Sequence, residues 1–241
     1  MRLVLLILCG LILECFSNRA EAFPTGTIWI PSDLTEDQNV WRADNQIYFT
    51  PHKRASDAVP PAPSLDEGIT FCFKKSEFVA MEAGGDWVEP VREDAQAPHL
   101  HAKIVLPERG DFPSLVGGIY DLGFSDITNY NVAYVGVGKT FPQKARVFAG
   151  IFYGNGASLV DENGAPSNKG LMFSVIYPLE FLWDKLTFIL DFQSSRSALG
   201  AFNIGGDIAL LPSFDLIVGF NMYNNPRLQR DTVTVQFNVR F

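Results

Sequence analysis

Along the final eleven residues apolar and polar side chains alternate without a break. Val233, Val235, Phe237, Val239 and Phe241 share one side of a period-two repeat, and Thr232, Thr234, Gln236, Asn238 and Arg240 share the other. This pattern predicts a strand with one apolar and one polar face. In a soluble protein the apolar face would pack on a core. In a transmembrane barrel it would meet lipid, with the polar face turned to the lumen.

The same alternation recurs upstream. Residues 41–50 set Ile47 and Phe49 against Asp44, Gln46 and Tyr48. Residues 68–74 set Ile69, Phe71 and Phe73 against Thr70, Cys72 and Lys74, and residues 77–87 set Val79, Met81 and Ala83 against Ala80, Glu82 and Asp86. Residues 99–106 alternate Leu100, Ala102, Ile104 and Leu106 with His99, His101 and Lys103. Strands are also predicted over 145–153, 170–177, 185–193, 201–210 and 214–222. These place Arg146, Lys185, Asp191, Asp207 and Asp215 on polar faces. Residues 114–122 and 130–139 contain glycines and show no clear facing. No window carries a sustained helical period.

The connections carry an independent signal. Short ones fall at 74–76, 107–113, 140–144, 178–184 and 211–213; longer or more polar ones fall at 51–67, 88–98, 123–129, 154–169, 194–200 and 223–230. The two kinds alternate, as short periplasmic turns and longer extracellular loops do in membrane barrels. About twelve strands would return the C-terminus to the side of the short turns, with ten or fourteen also compatible. Trp87, Tyr153, Tyr177, Trp183 and Tyr223 lie near strand ends, where aromatic girdles are expected.

Composition narrows the class. The chain is 47% hydrophobic, yet beyond residue 13 it has no apolar run long enough for a membrane helix. Residues 1–22 read as a cleaved signal peptide: Arg2, an apolar run from Leu3 to Leu13, then Ala20-Glu21-Ala22. Residues 23–40, interrupted by Pro24 and Pro31, are expected to form an irregular periplasmic segment with room to tuck into the barrel end, and residues 41–241 the barrel itself. The formal charge of −8 argues against nucleic acid as a partner. Cys72 is the single cysteine after the leader, so no internal disulfide framework is expected.

Several motifs invite other readings. Residues 133–140, Ala-Tyr-Val-Gly-Val-Gly-Lys-Thr, loosely match a phosphate loop. That chemistry needs a helix starting at the Lys-Thr pair, whereas Pro142 and another strand follow. His99 and His101 share a strand face, but two imidazoles alone do not specify a metal site. No His-x-Ser pair of the kind found in some outer-membrane lipid hydrolases occurs, although pairing across strands stays open. No catalytic, cofactor-binding or metal-binding set is assigned.

What remains is a charged inward set: Asp44, Lys74, Glu82, Asp86, His99, His101, Lys103, Arg146, Lys185, Asp191, Asp207, Asp215 and Arg240. Facing lipid, basic members would cost about 2–4 kcal/mol each at the midplane. Facing inward, the charges could line a narrow aqueous pore or form a paired network that blocks conduction.

With the Phe241 ending, the alternating strands and the loop parity, the chain resembles bacterial outer-membrane β-barrel proteins of small porin type. The resemblance implies an all-β, antiparallel up-and-down transmembrane barrel, exported and placed in the outer membrane among its lipids. It implies handling by periplasmic chaperones and the barrel-assembly machinery, for which Val233, Val235, Phe237, Val239 and Phe241 form the signal. The expected function is a porin-like channel for small solutes or a structural outer-membrane protein. A lipid-modifying outer-membrane hydrolase and a soluble exported β-sandwich are the alternatives. Solute and oligomeric state are left open.

Overall fold

A computed structural model describes residues 26–51, 63–88, 98–124 and 129–241. The expected signal peptide, His52 and parts of the loops at 51–67, 88–98 and 123–129 lie outside the described residues. The described residues form twelve strands: β1 (Trp41–Phe49), β2 (Ser64–Lys75), β3 (Ala80–Val88), β4 (Pro98–Leu106), β5 (Ser114–Leu122) and β6 (Val132–Thr140). The second half adds β7 (Arg146–Tyr153), β8 (Lys169–Pro178), β9 (Leu186–Gln193), β10 (Ala201–Leu211), β11 (Phe214–Tyr223) and β12 (Thr232–Arg240). Each strand pairs antiparallel with its sequence neighbours, and β12 pairs with β1 to close the barrel. Closure leaves no sheet edge unpaired, a requirement for strands in lipid.

The seam between β1 and β12 runs from Arg42 opposite Arg240 to Phe49 opposite Val233. Phe241 adds a last rung, its N–H donating to the Trp41 carbonyl at 2.9 Å and its carbonyl accepting the Trp41 N–H at 3.0 Å. The termini of the barrel and the short turns share one end, and the longer loops share the other. A soluble sandwich of two sheets is therefore overturned by a single closed sheet.

The outer surface is apolar. Ile69, Ile104, Leu115, Val135, Ile151, Leu171 and Val218 are all exposed along it. Such a continuous apolar belt would be untenable in water and suits hydrocarbon. The interior is not simply polar. Val116, Tyr120, Val132, Tyr134, Phe148, Phe152 and Met172 are buried on the inner face of β5 to β8. Those strands are apolar on both faces, which is why 114–139 shows no clear alternation in sequence.

Two bulges change expected facings. In β2 the register shifts between Cys72, opposite Glu82, and Lys74, opposite Met81. Lys74 is thereby turned to the outer face and exposed, a correction to its inward assignment, while Lys75 pairs with Asp37 at 2.8 Å. In β5 both Tyr120 and Asp121 lie opposite His101, between the Leu100–Leu122 and Ala102–Ile119 pairs. Both are buried, and Asp121 takes a positive φ of 49°. Lys185 is also corrected: β9 begins one residue later, so Lys185 sits exposed in the turn and bonds the Leu210 carbonyl at 3.3 Å.

Candidate functional site: the lumen and the segment that fills it

Residues 26–36, which precede β1 by a four-residue link, lie inside the barrel. Thr27 donates its N–H to the Ile30 carbonyl at 3.0 Å, making a tight turn whose apex is Ile28-Trp29-Ile30. All three apex side chains are at most 1% exposed. Three large apolar residues in a row cannot remain in water without cost, roughly 1.5–3 kcal/mol for each aliphatic one. The lumen accommodates them. Trp29 makes edge-on contacts with Tyr48, at 6.1 Å between ring centroids, and Tyr223, at 5.3 Å. Its indole N–H donates to the Leu199 carbonyl at 2.9 Å. Ile28 packs against Gly205 and Gly219, where a Cβ would approach its side chain to 2.9 and 2.8 Å. Tyr223 therefore belongs to the lumen and not to a membrane girdle. Trp87, Tyr153 and Trp183 are exposed near strand ends.

Polar walls hold the backbone of this segment from several sides. On β9 Asp191 accepts the N–H groups of Ile28 at 2.8 Å and Trp29 at 3.0 Å. On β12 Gln236 donates to the Ile28 carbonyl at 2.8 Å. Lys103 on β4 donates to the Ser32 carbonyl at 3.1 Å and also to that of Leu34. Arg146 on β7 and Ser114 on β5 bond the Asp33 carboxylate. Glu82 on β3 accepts the Glu36 N–H, and Arg240 donates to the Glu36 carboxylate at 2.8 Å. An irregular chain inside a barrel needs such partners, because its amides have no sheet of their own. The segment expected at the barrel mouth is thus a deep lumen filler.

The remaining charges form a ring of pairs. Arg240 also bonds Asp215, and Asp215 accepts from Asn238 at 2.6 Å. Lys103 meets Glu82 at 3.3 Å, and Arg42 meets Asp44 at 3.3 Å and Glu36 at 3.8 Å. Asp207 lines a cavity of about 140 Å³ with Thr27, Arg42, Asp215 and Arg240. At the loop end, Arg196 pairs with Glu162, and Asn225 donates to Glu162 at 2.6 Å. Leu159 and Leu199 are buried beneath these loops.

His99 and His101 are separated by their partners. His99 Nδ1 lies 3.2 Å from Asp121, and His101 Nδ1 lies 2.7 Å from Asp86. His101 Nε2 is 3.1 Å from the Thr70 hydroxyl. Asp86, His101 and Thr70 thus share the connectivity of a hydrolase relay. All three are at most 2% exposed and face the lumen, away from the lipid surface a phospholipid hydrolase would need. Among the described residues no three His, Cys, Asp or Glu converge as a metal cage. The phosphate-loop lookalike is β6 itself and opens no helix.

Sequence reasoning overlooked Asp33, Glu36, Arg42, Asp66 and Asp121. Arg42 is in phase with Asp44 and Gln46, so parity alone would have found it. Asp66 lay in a stretch assigned to a loop, yet it pairs with Gln46 in β2. Asp121 turns inward only because of the bulge.

No protein-family model matches the chain, and no curated protein matches it. Solved structures do match at the level of fold. A KdgM porin in complex with disordered oligogalacturonate superposes with a TM-score of 0.56 at 7% identity, over 83% of this chain and 99% of that one. A NanC porin gives 0.53 at 9% identity, over 83% and 98%. An outer-membrane channel from Pseudomonas putida F1 gives 0.51 at 8% identity, over 95% and 100%. The chain has the fold of these barrels.

Proposed function

We propose that this barrel, which shares its fold with bacterial outer-membrane porins, resides in an outer membrane and passes small solutes when residues 26–36 leave the lumen. The observation that carries the reading is the non-covalent filling of a closed, apolar-coated barrel. The segment is held by hydrogen bonds and ion pairs from β3, β4, β5, β7, β9 and β12. A wall of hydrogen-bonding groups that can bind a peptide can also solvate a solute. The relative named with oligogalacturonate is paired there with a polyanion. Here the inward acids outnumber the inward bases, which disfavours that solute class.

The Phe241 ending supports delivery by periplasmic chaperones and the barrel-assembly machinery, with outer-membrane lipids around the belt. The filled lumen also favours a second reading, a structural barrel that never conducts. Planar-bilayer recording decides between them. The intact mature chain is expected to give rare or small openings, and a variant lacking residues 26–36 steady, larger ones. Silence from a correctly folded deletion variant would sink the channel reading.

A further inference from the structure

Within the wall built by β1 to β4, negative charge exceeds what its neighbours neutralise. Asp44 on β1, Gly68 on β2 and Asp86 on β3 stand side by side in one inward-facing row. Asp66 occupies the next inward position on β2, opposite Gln46. The missing side chain of Gly68 makes room for two of these carboxylates: a Cβ there would clash with both Asp86 Oδ1 and Asp44 Oδ2. Two carboxylates from strands on either side therefore lean into the space where a β2 side chain would be. Asp66 lies diagonal to each of them, at a separation of about 7–8 Å between backbone positions.

The partners are few. Arg42 serves Asp44 at 3.3 Å but is shared with Glu36 at 3.8 Å. Gln46 reaches Asp44 at 3.4 Å, and His101 takes Asp86 Oδ2 at 2.7 Å. Lys103, on β4 of the same wall, is committed to Glu82 at 3.3 Å. Among the described residues Asp86 Oδ1 has no hydrogen-bond partner. Asp66 is fully buried, and neither of its carboxylate oxygens has a hydrogen-bond partner among them. A buried carboxylate left without a counter-charge is among the costliest arrangements a protein can hold.

We propose that Asp44, Asp66 and Asp86 form a binding site for a small inorganic cation in the lumen, and that the solutes the barrel admits are cations. The cation is held by charge and retained water more than by a chelating shell, since no three acidic or imidazole groups among the described residues converge as a cage. Oxygen-only donors suit a hard ion such as Ca²⁺. The second half of the inference rests on the channel reading; the first does not.

The test separates the two. Calorimetric titration of the refolded full mature chain with CaCl₂ should show saturable binding. Asp66→Asn and Asp44→Asn, which keep side-chain size, should each weaken it at least tenfold. Heat-dependent gel mobility confirms that each variant is folded. Binding that is absent, or unchanged in both folded variants, overturns the site. In bilayers under a KCl gradient the reversal potential should show cation preference, reduced in Asp66→Asn. An anion-selective or unselective pore overturns the assignment of cationic solutes. Calcium binding in a bilayer that stays silent, even for the chain lacking residues 26–36, supports the site and removes the channel.

Discussion

Asp191 and Trp29 lie 162 residues apart in sequence, and the carboxylate of one accepts the backbone N–H of the other at 3.0 Å. The same oxygen accepts the Ile28 N–H at 2.8 Å, and the second oxygen accepts from Asn203 at 2.6 Å. This one side chain therefore joins the lumen filler to the barrel wall. Hydrogen bonds to a charged group are worth about 1.5–3 kcal/mol each. Asp191→Asn keeps the shape and removes the charge. It is expected to raise the fraction of time the lumen is open by roughly 10–100-fold, since each 1.4 kcal/mol is tenfold. Single-channel open probability measures this, and an unchanged value would show that Asp191 does not hold the segment.

The four tryptophans report on sidedness. Trp41, Trp87 and Trp183 are 41%, 42% and 43% exposed, whereas Trp29 is 1% exposed. In vesicles with brominated acyl chains, a variant keeping only Trp29 should retain most of its fluorescence. A Trp29→Phe chain should lose most of its own. Strong quenching of Trp29 would mean that the segment is not enclosed by the barrel.

Phe241 is 68% exposed, so its ring adds little to a packed interior. Its backbone, by contrast, completes the seam with Trp41. Removing the residue takes away the two hydrogen bonds of that last rung, about 1–3 kcal/mol in all, and the terminal aromatic of the proposed assembly signal. Outer-membrane levels should fall several-fold, read by fractionation, while any protein that does assemble should conduct as before. Normal levels would separate Phe241 from assembly.

Glu108, in the turn between β4 and β5, offers a pH test outside the membrane span. Burial acts to raise its carboxyl, but hydrogen bonds from Lys139 and Thr140 outweigh it and bring the group from 4.5 down to about 2. Lys139 lies at 2.9 Å and Arg146 at 3.2 Å. A depressed carboxyl stabilises the folded form above its unfolded value and ceases to do so as pH falls through the folded one. Glu108→Gln should therefore cost roughly 1 kcal/mol at pH 7 after solvent screening, with the difference from the parent fading between pH 4.5 and pH 2. Denaturant unfolding in detergent at several pH values measures it; a difference that persists at pH 2 would exclude this ion pair as its source.

Legibility followed the chemistry of each strand. β9, β11 and β12 place apolar residues on the lipid side and polar ones inward, so Asp191, Asp215 and Arg240 could be oriented from parity. β5 and β6 could not, because Val116, Tyr120, Val132 and Tyr134 make the inner face as apolar as the outer one. Lys74 was misplaced because parity counting fails past an inserted residue, and a bulge leaves no mark in the pattern. Asp66 was missed because nearby prolines at 60, 61 and 63 made the strand start look like loop.

The sequence by itself determined the wall: alternation, loop parity and the terminal strand suffice for a closed barrel of about twelve strands, since each reports a local, periodic choice between lipid and lumen. Only the tertiary structure decided what the wall surrounds. Ile28-Trp29-Ile30 reads as a short apolar run in the irregular segment 23–40, and nothing local says where it is buried. Its place depends on partners such as Asp191, Leu199, Tyr223 and Gln236, which come within reach only once the sheet closes. The same holds for Asp44 and Asp86, distant along the chain, whose carboxylates meet over Gly68 with Asp66 at the next inward position of β2 because strand pairing brings them there.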